Sequence, residues 1–182
     1  MISAADFTLR PGDKLRLIAD SSLQVADIIC VGAESTVGAV IKEATYSPFS
    51  HVAAYIGKFK VVEALMSGVE MSTLSSVLDA NDLVVAFRHG RVTPEIAIEI
   101  KKFLLNAAIN NQGYNFAGAV GSVTPLTKAT PGRYFCSQLV CAAYNAAGLK
   151  IAPNPDYRPP RYFQEIYYDG VLRYVGHLKS VA

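Results

Sequence analysis

Three residues of this chain, Cys136, His51 and Glu63, have the types and settings that nucleophilic chemistry needs. Cys136 lies in Tyr134-Phe135-Cys136-Ser137-Gln138-Leu139-Val140-Cys141-Ala142-Ala143-Tyr144, where an irregular stretch gives way to an apolar helix. Upstream, Thr130-Pro131-Gly132-Arg133 reads as a turn. Downstream, Leu139, Val140, Ala143, Tyr144 and Ala147 recur at helical spacing, and Gly148 supplies a stop. Cys136 is therefore expected in the first turn of a helix. Unpaired backbone N–H groups and the positive end of the macrodipole favour an anion there, so the thiolate fraction rises. A lone cysteine is most often a small buried hydrophobe, and Cys30 and Cys141 are read that way.

A nucleophilic thiol needs a base, and the chain has three histidines. His51 opens Ser50-His51-Val52-Ala53-Ala54-Tyr55-Ile56-Gly57, an apolar run followed directly by a second one over 59–65. A turn at Gly57-Lys58 folds the two into a hairpin. That turn sets a residue near Glu63 opposite His51, to within one register step. A carboxylate inside Val61-Val62-Glu63-Ala64-Leu65 is costly to bury alone, and an imidazole across the strand pair would satisfy it. His89, in Arg88-His89-Gly90-Arg91, and His177, near the C-terminus, read as surface residues. Asp27 reads as structural.

In this order, His51, Glu63 and Cys136 resemble the circularly permuted branch of the NlpC/P60 papain-like superfamily, in particular its YiiX-like members. The resemblance is carried by Ala26-Asp27-Ile28-Ile29, Ser50-His51-Val52 with Tyr55-Ile56-Gly57, and Val62-Glu63-Ala64. It continues through Gly113-Tyr114-Asn115, then Cys136-Ser137-Gln138-Leu139-Val140 with Ala143-Tyr144 and Ala147-Gly148-Leu149. It implies a Cys-His-Glu triad with Cys136 as nucleophile, His51 as general base and Glu63 as the orienting member. It also implies Tyr114 and Ser137 as substrate-binding residues. Gln138 stands where many relatives carry an acidic residue, and Ala26 where a Gly often precedes the opening Asp. The implied activity is hydrolysis of amide bonds in small or peptidoglycan-type peptides, needing neither metal nor cofactor. Two alternatives remain. One is a lipid acyl hydrolase or acyltransferase resembling the lecithin:retinol acyltransferase group, whose members usually carry a second His at the Glu63 position. The other is a non-catalytic binding module, which would have no need of all three residues.

Composition narrows the classes further. With 51% hydrophobic and 18% charged residues over 182 positions, the chain reads as one globular domain. Its core is expected at about 25–149, with a C-terminal extension over 150–182. A net charge of +2 with dispersed basic residues gives no case for nucleic acid. Three cysteines at irregular spacing, without a CxxC pair, suggest neither a disulfide framework nor a zinc site, and a reducing compartment is the simplest inference. Neither a signal peptide nor a transmembrane segment is expected. Peptidoglycan lies outside the cytoplasm. The expectation is thus a protein that is cytoplasmic as synthesised, and either its substrate is cytoplasmic, such as recycled muropeptides or acyl conjugates, or it is exported without a signal peptide, as an antibacterial effector paired with an immunity protein would be.

The elements that must position the site follow from periodicity and turn residues. Strands are expected over 25–31, in the hairpin, over 83–88 and over 172–176. Helices are expected over 36–46, 71–80, 95–110 and 162–168, besides the one that Cys136 opens. A loop over 114–134 leads into that helix. The fold class is α+β, a permuted papain-like (NlpC/P60) fold with a mostly antiparallel sheet packed against helices.

Overall fold

The computed structural model describes residues 7–32, 46–114 and 132–179. Its frame is a six-stranded sheet built from β1 (Ile28–Gly32), β2 (His51–Gly57), β3 (Lys60–Leu65), β4 (Gly68–Thr73), β5 (Leu83–His89) and β8 (Leu172–His177). The strand order is β4-β3-β2-β1-β5-β8, and every pairing is antiparallel. Helix α1 (Leu74–Asp79) follows β4, α2 (Pro94–Ile109) follows β5, and α3 (Cys136–Ala146) and α4 (Arg161–Tyr168) precede β8. Two short strands, β6 (Gly113–Tyr114) and β7 (Arg133–Tyr134), pair in parallel just before α3.

Strand alternation explains why the sheet is covered on both faces. Ile28, Cys30, Val52, Ala54, Val62 and Val85 share one apolar cluster with Ile100 and Leu104 of α2, Leu139 and Val140 of α3, and Phe163 of α4. The alternate residues Ile29, Val31, Ala53, Tyr55, Val61 and Val84 pack with Leu23 and with Leu74 and Val77 of α1. Central strands buried on both faces read as continuous apolar runs, as β1 and β5 do.

Helix α2 starts where Pro94 places it, with Thr93 as N-cap accepting from the Ile96 N–H at 3.4 Å. Residues 172–177 supply an edge strand of the main sheet. The N-terminal segment bonds to that strand through Ile18 N–H to His177 O at 2.8 Å.

The structure corrects four expectations. Strand β1 begins at Ile28 and not at Val25, because Ala26 has φ +73° and the chain turns there. This left-handed conformation costs an alanine about 1–2 kcal/mol, which is why a glycine suits the position. The expected helix over 71–80 begins as strand. Gly68–Thr73 pairs along its length with β3, and only Leu74–Asp79 is helical. The turn between β3 and β4 is Met66-Ser67, a pair without the Asn, Asp or Gly signal of a two-residue hairpin. The hairpin turn lies one residue later than expected, at Lys58-Phe59, both with positive φ. His89 and His177 are buried, not surface residues. The expected helix over 36–46 falls almost wholly, and the loop over 114–134 largely, outside the described residues.

Candidate active site

Cys136 is the first residue of α3, after Phe135 in an extended N-cap conformation. The Gln138 side chain accepts from the Phe135 N–H at 3.3 Å and donates to Asp156 at 2.7 Å, so the first turn of α3 is tied down from two directions. The far end of α3 is anchored by the Tyr144 hydroxyl, which donates to Ala26 O at 2.5 Å. Beside that anchor, Asp27 is fully buried and takes Arg88 Nε at 2.5 Å together with the Gln24 N–H at 2.8 Å. The helix carrying Cys136 is thus fixed against the turn that opens β1, and Asp27 has the structural role expected of it.

His51 is the first residue of β2, and its Nε2 lies 2.7 Å from Glu63 Oε2. The β2–β3 register pairs Ala53 with Glu63, so Glu63 lies diagonal to His51 and not directly opposite it. The displacement is two residues, which preserves the face, and both side chains meet on one side of the sheet. Alternation alone would set His51 apart from the face that α3 covers. His51 and Cys136 come together because each is the first residue of its element, which sets the thiol against the imidazole. With Nε2 engaged by Glu63, Nδ1 is the ring nitrogen left for the sulfur.

The electrostatics follow from that contact. Burial pushes the Cys136 thiol up, but the His51 charge and hydrogen bond, with backbone bonds from Val52 and Ser137, hold it below the usual thiol value of 9.0. Burial pushes His51 down; Cys136 and Glu63 outweigh it and raise the imidazole to about 10. Burial would raise Glu63, yet bonds from His51 and Ser72 hold it below 4.5. All three shifts run toward the charged forms, so the coupling favours a thiolate, an imidazolium and a carboxylate over their neutral forms. Cys30 and Cys141, buried without such a partner, are both raised, Cys141 to about 12.

Of the other expected residues, Ser137 is fully buried, and its hydroxyl has no hydrogen-bond partner among the described residues. Tyr114 lies in β6, paired with Tyr134 two residues before Cys136, and its side chain falls outside the description. The residue that sequence reasoning missed is Ser72, which stands one diagonal step from Glu63 on the same face and helps to hold its pKa down. Reading 71–80 as a helix hid it, since a strand ending at Thr73 is what turns Ser72 toward β3. Among the described residues, no group of three or more His, Cys, Asp or Glu could hold a metal ion, and no helix is long and apolar enough to cross a membrane.

No family model matches the chain. Over 119 residues it is 32% identical to the "Probable lipoprotein peptidase YaeF" of Escherichia coli (strain K12), covering 65% of this chain and 37% of that protein. The chain therefore spans little more than a third of the length of this curated relative. Its fold superposes with a TM-score of 0.60 on the crystal structure titled "metalloprotein yiiX from Escherichia coli O157:H7, DUF1105", at 20% identity and covering 82% of this chain and 85% of that one. The chain thus has the α+β fold of YiiX, and its sequence likeness is to a peptidase-like protein.

Proposed function

We propose that this protein is a papain-like cysteine hydrolase that cleaves amide bonds of small or peptidoglycan-type peptides through Cys136, His51 and Glu63. The observation that carries this reading is the His51–Glu63 pair at 2.7 Å with the Cys136 thiol set against the same imidazole. Likeness to a probable lipoprotein peptidase supports the hydrolase class.

In the proposed mechanism the Cys136 thiolate attacks the scissile carbonyl carbon, and the carbonyl π pair moves onto oxygen. Backbone N–H groups in the first turn of α3 hold that oxyanion. The intermediate collapses, the C–N bond breaks, and the His51 imidazolium gives its proton to the departing amine. His51, now neutral, takes a proton from water as the water oxygen attacks the thioester. The C–S bond breaks, the acid product leaves, and the thiolate–imidazolium pair is restored. Glu63 holds the ring through Nε2 and stabilises its positive charge, and stays ionised throughout. Tyr114 and Ser137 are assigned to substrate contact on the resemblance to the permuted papain-like group.

The test offers muropeptides and, separately, phospholipid vesicles to the wild type and to Cys136→Ala. Peptide products released by the wild type alone are the expected result. Release of fatty acid alone would move the assignment to lipid acyl chemistry.

A further inference from the structure

We propose that Ser72 is a positioning residue that fixes the plane of the Glu63 carboxylate and so holds the His51 ring toward Cys136. The inference rests on the roles proposed above for those three residues. The β3–β4 register pairs Glu63 with Glu70 and Val61 with Ser72. Ser72 therefore stands on Glu63's face of the sheet, one diagonal step away, where a longer side chain can reach a neighbour.

Glu63 is only 6% exposed, and one of its oxygens is taken by His51. The terminal torsion of a glutamate is broad, so a single bond leaves the carboxylate free to swing. A second donor at a fixed point removes that freedom, and Ser72, on the same face one diagonal step along β4, offers its hydroxyl for it. The charged groups facing Glu63 are His51, which favours its ionisation, and Glu70 directly opposite, which opposes it. Glu70 is exposed and takes the Ser67 hydroxyl at 3.2 Å. The N-cap of α1 is Thr73, which accepts from the Ser76 N–H, so capping does not call on the Ser72 hydroxyl.

The experiment measures the iodoacetamide alkylation rate of Cys136 against pH in the full chain. The variants are Ser72→Ala, Ser72→Thr, Glu63→Gln and the Ser72→Ala/Glu63→Gln double variant. Ser72→Ala is expected to move the acid limb to higher pH, slowing alkylation below the limb about threefold and leaving the plateau unchanged. Ser72→Thr keeps the hydroxyl and is expected to restore the wild-type profile. In the Glu63→Gln background, Ser72→Ala is expected to add nothing. A depressed wild-type limb that Ser72→Ala leaves in place overturns the assignment of Ser72 alone. So does a slowing of equal size in the Glu63→Gln background. A wild-type Cys136 that titrates as an ordinary thiol overturns the triad reading, and this one with it.

Discussion

Two regions of the sheet each set a histidine in a largely enclosed place, and they shift its pKa in opposite directions. At the start of β2, His51 faces the Cys136 thiol and the Glu63 carboxylate, and its pKa is raised to about 10. At the end of β8, His177 is buried beside the Tyr174 hydroxyl, 2.5 Å from Nδ1, and burial lowers its pKa. Burial pushes both rings the same way. The difference lies in the partners, since a carboxylate and an ionisable thiol favour the imidazolium and a phenol does not. His89 sides with His177, as burial and the Arg91 charge lower it, and its ring nitrogen accepts from the Arg91 N–H. A buried histidine becomes a proton carrier through the charges around it, and depth alone makes it neutral.

The contrast separates the pH behaviour of the two regions. His51 has a folded pKa above its unfolded value of 6.5, so its contribution to stability is full below 6.5 and is lost as pH rises through about 10. His177 and His89 have folded values below 6.5, so their contribution is full above 6.5 and is lost as pH falls through those values. Glu63 contributes above 4.5 and Cys136 above 9.0, each fading as pH falls through its depressed folded value.

Breaking the β2 region should have the largest effect. Cys136→Ala should lower amide cleavage by roughly 10³-fold or more, read as product release under single-turnover conditions. Next comes Glu63→Gln, which keeps the shape and removes the charge. It should slow turnover about ten- to hundredfold, the size expected for losing a hydrogen bond between charged groups. In the same variant the alkaline limb should move down from about 10, measured by following the imidazole protons by NMR. The smallest effect belongs to β8. His177→Phe should leave turnover unchanged and weaken the loss of stability on acidification below 6.5, read from denaturant unfolding across pH. Tyr174 keeps Arg16 as a partner in that variant, so its hydroxyl is not stranded. A change in turnover there would show that the two regions are coupled.

The same contrast explains what could be read from the residues. The start of α3 at Cys136 was legible, because Pro, Gly and apolar helical spacing are local signals. His51 and Glu63 were legible as neighbours to within one register step, but their common face was not, because it is the register irregularity between Tyr55 and Gly57 that sets Ala53 against Glu63 and so brings Glu63 onto the face of His51. Strand β4 was not legible, since Glu70, Met71, Ser72 and Thr73 are polar or exposed, as suits an edge strand, and the helix after them extends the apparent pattern backward. Ser72 was lost with it. His89 was misread because its polar local sequence carries no information about Tyr144 of α3, which packs on it, and His177 because a place near the C-terminus says nothing of Phe7 against its ring.

The central claim is that Cys136 exists as a thiolate paired with the His51 imidazolium. Its most direct test is the pH dependence of iodoacetamide alkylation at each cysteine, resolved by peptide mass spectrometry, in the wild type and in His51→Ala. The expected result is that Cys136 reacts first, with its limb below 9.0, and that His51→Ala moves the limb above 9.0, where burial alone would set it. A Cys136 limb at or above 9.0 in the wild type, or faster reaction of Cys30 or Cys141, would contradict the account.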